Sequence, residues 1–204
     1  MRRWSRSLST LTGLGLAAAA VQVFPADAAA PSPAATAAAL AAAQAGQGAA
    51  GSATPAELHQ LDLFLGTWSC VATISFPGTP TTVNNLTSRV YPVLGGHWYE
   101  FDGFEQPTAA DPHGSASRWV FGWDAADGGF TALYYDDQET SGSETSPGWA
   151  DGHLTFSGPY VISGYHLENR DDFTSTDRDH YTDHFYAQLD GTWVPVGQSV
   201  CHRV

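Results

Sequence analysis

Two residue pairs, one near each end of the folding part of the chain, constrain the fold more than anything between them. Trp68, Cys70, Ala72, Ile74 and Phe76 share one parity, and their neighbours Thr67, Ser69, Thr73 and Ser75 are small and polar. Side chains of a strand alternate between its faces, so residues 66 to 76 read as a strand with one apolar face. Counting by twos from Trp193 puts Pro195, Gly197, Ser199, Cys201 and Arg203 on one face of the last segment. An antiparallel register that sets Cys70 opposite Cys201 also sets Trp68 opposite Arg203. The first and last strands of an up-and-down sheet have no reason to pair unless the sheet closes on itself, which removes both free edges. The expectation is therefore a closed barrel with its seam between 66 to 76 and 192 to 203. A Cys70–Cys201 disulfide across that seam closes a loop of 131 residues, worth on the order of 5 kcal/mol by chain entropy. Arg203 over the Trp68 ring adds a cation–π contact of about 1 to 2 kcal/mol when desolvated. Two unrelated free thiols with a chance match of register are the alternative.

The first quarter of the 204 residues does not belong to that fold. Arg2, Arg3 and Arg6 precede an apolar run from Leu8 to Val23, and Ala26-Asp27-Ala28 supplies a small-x-small cleavage signal. Residues 1 to 28 are thus expected to be a secretory signal peptide. The Arg2-Arg3 pair does not continue into a complete twin-arginine motif, so the export route stays open. Gly13, Gly15 and Gln22 interrupt the apolar run, which disfavours a retained membrane anchor. Residues 29 to 53 are rich in Ala, Pro, Gly and Gln, carry no charge, and read as a disordered linker with some helical tendency in its alanines. Residues 54 to 204 are one domain.

Charge narrows the partners. Loss of the leader removes three arginines and Asp27, leaving five arginines, no lysine and twenty acidic residues, a net charge of about −15. Such a surface repels phosphate backbones and anionic headgroups, so neither nucleic acid nor a membrane surface is an expected partner. Two cysteines in an exported chain favour one structural disulfide and an extracytoplasmic location.

Thr54-Pro55-Ala56-Glu57 combines an N-cap threonine, a first-turn proline and a glutamate three residues past the cap, which predicts a short helix. Leu58, Leu61 and Leu65 would be its buried face, and its position suggests a lid over one end of the barrel. Turn signals then recur about every ten residues. They divide the chain into strands at 66 to 76, 82 to 91, 97 to 104, 117 to 124, 130 to 136, a weak one at 138 to 145, then 153 to 158, 165 to 174, 180 to 189 and 192 to 203. Ten alternating strands make the first and last antiparallel, which supports the seam independently.

The short helix, Leu63-Phe64-Leu65-Gly66-Thr67-Trp68 at the first strand and an Arg ending the last resemble the calycin superfamily of lipocalin-like barrels. Val93-Leu94-Gly95-Gly96-His97-Trp98, Phe121-Gly122-Trp123-Asp124, Tyr134-Tyr135-Asp136, the run from Asp151 to Gly158 and Asp190-Gly191-Thr192-Trp193 are similar, in this order, to the bacterial DUF1579 family. The resemblance covers nearly all of residues 57 to 203. It implies an all-β, closed, ten-stranded antiparallel up-and-down barrel with an internal cavity, and it implies no reaction.

Few residues suggest chemistry. His180 and His184 with Asp177, Asp179 and Asp183 look like a metal site, but on a strand four residues span about 13 Å. That is too far for two Zn–N bonds of about 2.1 Å; a solvated acidic strand is expected instead, and no metal. Nitrobindin-like calycins hold haem through one histidine inside the barrel. His184 or His202 would be the nearest analogues, although glycines typical of their first strand are replaced here by Ser69-Cys70-Val71-Ala72. Tyr99 and Phe101, Trp119, Phe121 and Trp123, and Phe130, Ala132, Tyr134 and Asp136 form period-two faces on three successive strands. Such faces either line a small-ligand cavity or simply fill a core.

No nucleophile elbow, phosphate loop or Cys-x-x-Cys is present. The expectation is a secreted barrel, monomeric or dimeric, that binds a small apolar or aromatic molecule. Tyr99, Phe101, Trp119, Phe121, Tyr134, Asp136 and His184 are the cavity candidates. A haem barrel, an isomerase or hydrolase using Tyr134, Asp136 and a late-strand histidine, and a purely structural module are the alternatives.

Overall fold

Alternation of buried and exposed side chains runs through the long strands of the computed structural model and assigns each strand an inner and an outer face. The structure describes Ser32, Ala34, Ala35, Ala37, Ala38 and residues 53–109 and 111–204. The expected leader, residues 1 to 28, lies outside them. Within the alanine-rich stretch Ala34, Ala35, Ala37 and Ala38 are helical.

The strands are β1 (Gly66–Ile74), β2 (Thr82–Val93), β3 (Trp98–Glu105), β4 (Ser115–Asp124), β5 (Gly129–Asp136), β6 (Ser141–Ser146), β7 (Trp149–Ala150), β8 (His153–Ile162), β9 (Tyr165–Asp177), β10 (His180–Leu189) and β11 (Thr192–Arg203). They form one antiparallel sheet in which β1 pairs with β11 and β6 with β8. Ten strands therefore close into a barrel, and the two-residue β7, which the turn signals do not reveal, pairs only with the start of β8.

The seam has the expected register: Trp68 pairs with Arg203 and Cys70 with Cys201. The cysteines form a disulfide with their Cα atoms 4.1 Å apart. The Arg203 guanidinium lies 4.3 Å from the Trp68 ring centroid. It also donates to the carbonyls of Leu63 and Arg178, each at 2.9 Å, to the carbonyl of Leu65, and to Asp179 at 2.9 Å. One planar fork thus ties the segment before β1 to the β9–β10 turn. Gly66 makes room for it: with φ at 124°, a Cβ there would stand 2.5 Å from the Arg203 Nη1.

Two local expectations are corrected. On β11 the alternation slips, because Phe185 faces Gly197 while Tyr186 faces Pro195, leaving Val196 as an extra residue. Such a bulge exchanges the faces upstream of it. Val196 is buried and Pro195 exposed, whereas Ser199 and Cys201, beyond the bulge, keep the inward parity. The helix before β1 is a 3₁₀ helix, Ala56–Phe64, with Pro55 at its N-cap and no side-chain cap from Thr54. At three residues per turn its buried row is Leu58, Leu61 and Phe64. Leu65 has already turned to an extended conformation to start β1.

That helix stoppers one end of the barrel. The Phe64 ring lies 5.2 Å from those of Phe173 and Tyr181 and 5.6 Å from Phe101. Trp149 Nε1 donates to the Gln60 carbonyl at 2.9 Å, Trp68 Nε1 to that of Phe64 at 2.7 Å, and the Tyr99 hydroxyl to Asp62 at 2.5 Å. Behind it Trp68, Phe121, Phe130, Leu154 and Phe156 are all buried and pack in one cluster.

Candidate functional site

Beyond that packed layer the barrel is hollow. A cavity of about 360 Å³ falls in the size range of small-molecule sites. Its floor is Phe101, Trp119, Phe173, Tyr181 and Cys201, and its mouth is set by Ile74, Phe76, Glu105, Asp136, Ile162 and Phe185.

The aromatic wall follows from strand parity. Phe101 and Trp119 pair across β3 and β4, and Trp119 pairs with Tyr134 across β4 and β5. Trp119 meets Tyr134 edge to face at 6.2 Å, and Tyr134 stacks on Tyr160 at 5.7 Å. Tyr160 lies flat over Gly142, where a Cβ would come within 2.2 Å of its ring. The β6–β8 closure thus depends on a residue without a side chain.

Three carboxyl groups are buried beside this wall, on β6, β9 and β10: Glu144, Asp171 and Asp183, only 1%, 5% and 5% exposed, of which Asp171 and Asp183 line the hollow. The amide of Asn169 donates to Glu144 at 3.2 Å and to Asp171 at 2.6 Å, and the Tyr160 hydroxyl donates to Glu144 at 3.2 Å. Burial pushes Glu144 up to about 6, opposed by hydrogen bonds from Asp171, Asn169 and Tyr160. Burial raises Asp171 well above the usual carboxylate range, helped by the charges of Asp183 and Glu144. Interaction between the two carboxyls lowers Glu144 and raises Asp171. Asp183 is raised as well, by burial and then by Glu144 and Asp172. Its Oδ1 has no hydrogen-bond partner; neither does the indole Nε1 of Trp119.

Of the cavity candidates expected from the sequence, Phe101, Trp119, Tyr134 and Asp136 line the hollow. Tyr99 and Phe121 are buried in the packed half, one parity step nearer the 3₁₀ helix. His184 does not line the cavity: it sits between Asp183 and Phe185, which do, and the alternation turns it outward against Asp172 and Gln198. The Tyr134 hydroxyl donates to Asp136 at 3.3 Å, but no histidine joins them. His202 is exposed. The lining offers no imidazole to a haem iron, so the residues present do not fit a histidine-held haem.

The expectation of a solvated acidic strand is also corrected. Asp177 and Asp179 are exposed, but Asp183 is buried. The parity signal was there: Asp183 shares its face with Tyr181 and Phe185, and Asp171 shares its face with Phe173. Glu144 has no such flanking rings, and only the closure of β6 on β8 turns it inward.

Comparison with known proteins agrees with the geometry. The family described as "Protein of unknown function (DUF1579)" matches residues 54–203. Among solved structures, Rv2717c from M. tuberculosis superposes with a TM-score of 0.57 at 11% identity, over 74% of this chain and 99% of that one. The S-type phycobiliprotein lyase CPES from Guillardia theta superposes with a TM-score of 0.51 at 9% identity, over 74% and 94%. At these identities the likeness concerns the fold alone. No curated protein sequence matches the chain.

Proposed function

We propose, from the premise that this chain belongs to the DUF1579 family and shares its closed lipocalin-like barrel, that it binds one small, largely aromatic or apolar molecule in the hollow half and releases it unchanged. The single observation that carries this reading is the 360 Å³ cavity walled by Phe101, Trp119, Tyr134, Tyr160, Phe173 and Tyr181. A barrel able to pack its other half solid has left this space unfilled. Such rings contribute binding energy through burial of the ligand, and the few polar groups fix its orientation. The leader-like residues 1 to 28 and the Cys70–Cys201 disulfide support an extracytoplasmic site of action.

A neutral fluorescent probe, N-phenyl-1-naphthylamine, tests the reading. Titrated into the purified domain it should brighten and saturate at one equivalent, and Ser117→Trp, which fills the hollow from β4, should abolish the signal while the thermal melt shows a folded barrel. No saturation, or an unchanged signal in the folded Ser117→Trp variant, would overturn it.

A further inference from the structure

Cavities built only to hold apolar molecules have no use for buried charge, yet this one carries more acid than any other part of the interior. Asp171 and Asp183 line it, Glu105 and Asp136 stand at its mouth, and Glu144 is buried against two lining residues, Tyr160 and Asn169. No Arg, Lys or His lines it. Arg170 stands next to two of the lining residues on β9, Asn169 and Asp171, but on the other face, its guanidinium 4.2 Å from the Tyr186 ring and 4.9 Å from that of Trp193. Among the described residues none supplies a cation to these carboxyls.

A buried carboxylate without a partner is costly, and proteins normally pair it or hydrogen-bond it fully. Glu144 and Asp171 are tied together by the Asn169 amide, which donates to both, and Tyr160 also donates to Glu144. Asp183 is not so tied: its Oδ1 is buried, bounds the cavity and has no partner. An oxygen in that position is an acceptor waiting for a donor that the fold does not provide. Beside it are the faces of Trp119, Tyr134 and Tyr181, which attract a cation. The Trp119 Nε1–H, also unpartnered, leaves one donor for an acceptor on the same guest.

We propose that the hollow is selective for an organic cation, an arylalkylamine in which the ring lies against Trp119 and Tyr134 and the ammonium donates to Asp183, with Asp171 and Glu144 sharing its charge. This rests on the cavity-binding reading above and adds the chemical class of the ligand. A bare metal ion is the less suitable cation: no group of three His, Cys, Asp or Glu side chains among the described residues is spaced to hold one. The strongly negative surface of the chain adds long-range attraction for a cation.

The titratable groups that act on Asp183 or respond to it are Asp171 on the same inner face of β9, Asp172 on the outer face of β9, Glu144 from β6 and Tyr181 on its own strand. The charges of Glu144 and Asp172 disfavour its charged form and Asp183 in turn raises Asp171 and Tyr181, so an arriving ammonium favours loss of protons from this cluster. Calorimetry with three pairs tests the assignment: benzylamine against ethylbenzene, tyramine against 4-propylphenol, and tryptamine against 3-propylindole. Each pair differs only by ammonium in place of methyl.

At pH 7.5 at least one amine should bind tenfold or more tighter than its isostere, with proton release measured as a dependence of the heat on the buffer. Asp183→Asn should bring that amine down to the affinity of its isostere, with Glu144→Gln as a second variant and a melt confirming that each folds. Isosteres binding as tightly as amines, or no panel member binding while N-phenyl-1-naphthylamine saturates, would overturn the cation assignment and leave the cavity reading standing. Failure of the neutral probe as well would remove both.

Discussion

The two halves of this barrel are built from the same ten strands and obey opposite rules. The half under the 3₁₀ helix is filled by Trp68, Phe121, Phe130, Leu154 and Phe156, and its polar atoms at the helix are paired. The other half holds three buried acids, three unpartnered polar side-chain atoms on Ser88, Trp119 and Asp183, and a space of 360 Å³. Moving one parity step along β3, from Tyr99 to Phe101, crosses from one regime to the other. Tight packing and open space are thus placed at opposite ends of the same strands, so the hollow end can carry buried acids without unravelling the fold.

Paired truncations break or sharpen that contrast most directly. Phe156→Ala, in the packed half, should cost about 4 kcal/mol because the cavity it leaves cannot collapse. Phe185→Ala, at the mouth, should cost about 1 kcal/mol, since its side chain already borders open space. Chemical denaturation measures both, and equal losses would mean that the hollow is as tightly organised as the core.

A smaller effect is expected from Arg203→Lys at the stoppered end. Lysine keeps the charge but cannot reach Leu63, Leu65, Arg178 and Asp179 while lying on Trp68, so a loss of about 2 kcal/mol is expected in the same assay. The probe affinity of the distant cavity should not change. A parallel loss of affinity would show that the two ends are coupled.

The smallest change should have the opposite sign. Asp183→Asn removes a buried acid with no counter-ion and should stabilise the empty protein by about 1 kcal/mol at pH 8. The pH dependence follows from the same cluster. A carboxyl whose pKa is higher in the folded than in the unfolded state favours folding while protonated and opposes it once charged. Glu144 lies at about 6 against 4.5 unfolded, and Asp171 and Asp183 are raised well above 3.8. Stability of the empty barrel should therefore fall as pH rises from about 4 through 6 and above.

Asp137 and Asp177, which are lowered, act below 3.8 and leave that window untouched. Melting temperatures at pH 5 and pH 8 should differ by a few degrees in the wild type and by less in Asp183→Asn. A flat profile would mean that the acids are better compensated than their geometry indicates. Greater stability together with lost amine binding in one variant is the pattern expected of a functional residue held at the expense of the fold.

The stoppered end was the more legible in the sequence. Trp68, Cys70, Cys201 and Arg203 announce themselves because period-two parity and a single register place two recognisable pairs at once. The turn residues mark the ten strands for the same local reason. Val196 was not legible, since a bulge is one residue out of step and nothing in Pro195-Val196-Gly197 says which residue is the extra one.

The acids were missed on a different account. A charged residue on a strand is ordinarily solvated, and only closure of the sheet decides that the faces of Asp171, Asp183 and Glu144 have no water beyond them. His184 failed as a cavity candidate by the converse: an aromatic neighbourhood in sequence is not the same face.

Val204 donates its backbone N–H to the Thr67 carbonyl at 3.0 Å, one residue beyond the Trp68–Arg203 pair. The end of β11 therefore lies beside the start of β1, and the ring of strands has no privileged starting point. Joining the two termini of the domain and reopening the chain in the 106–114 connection should yield a circular permutant with the same guest chamber.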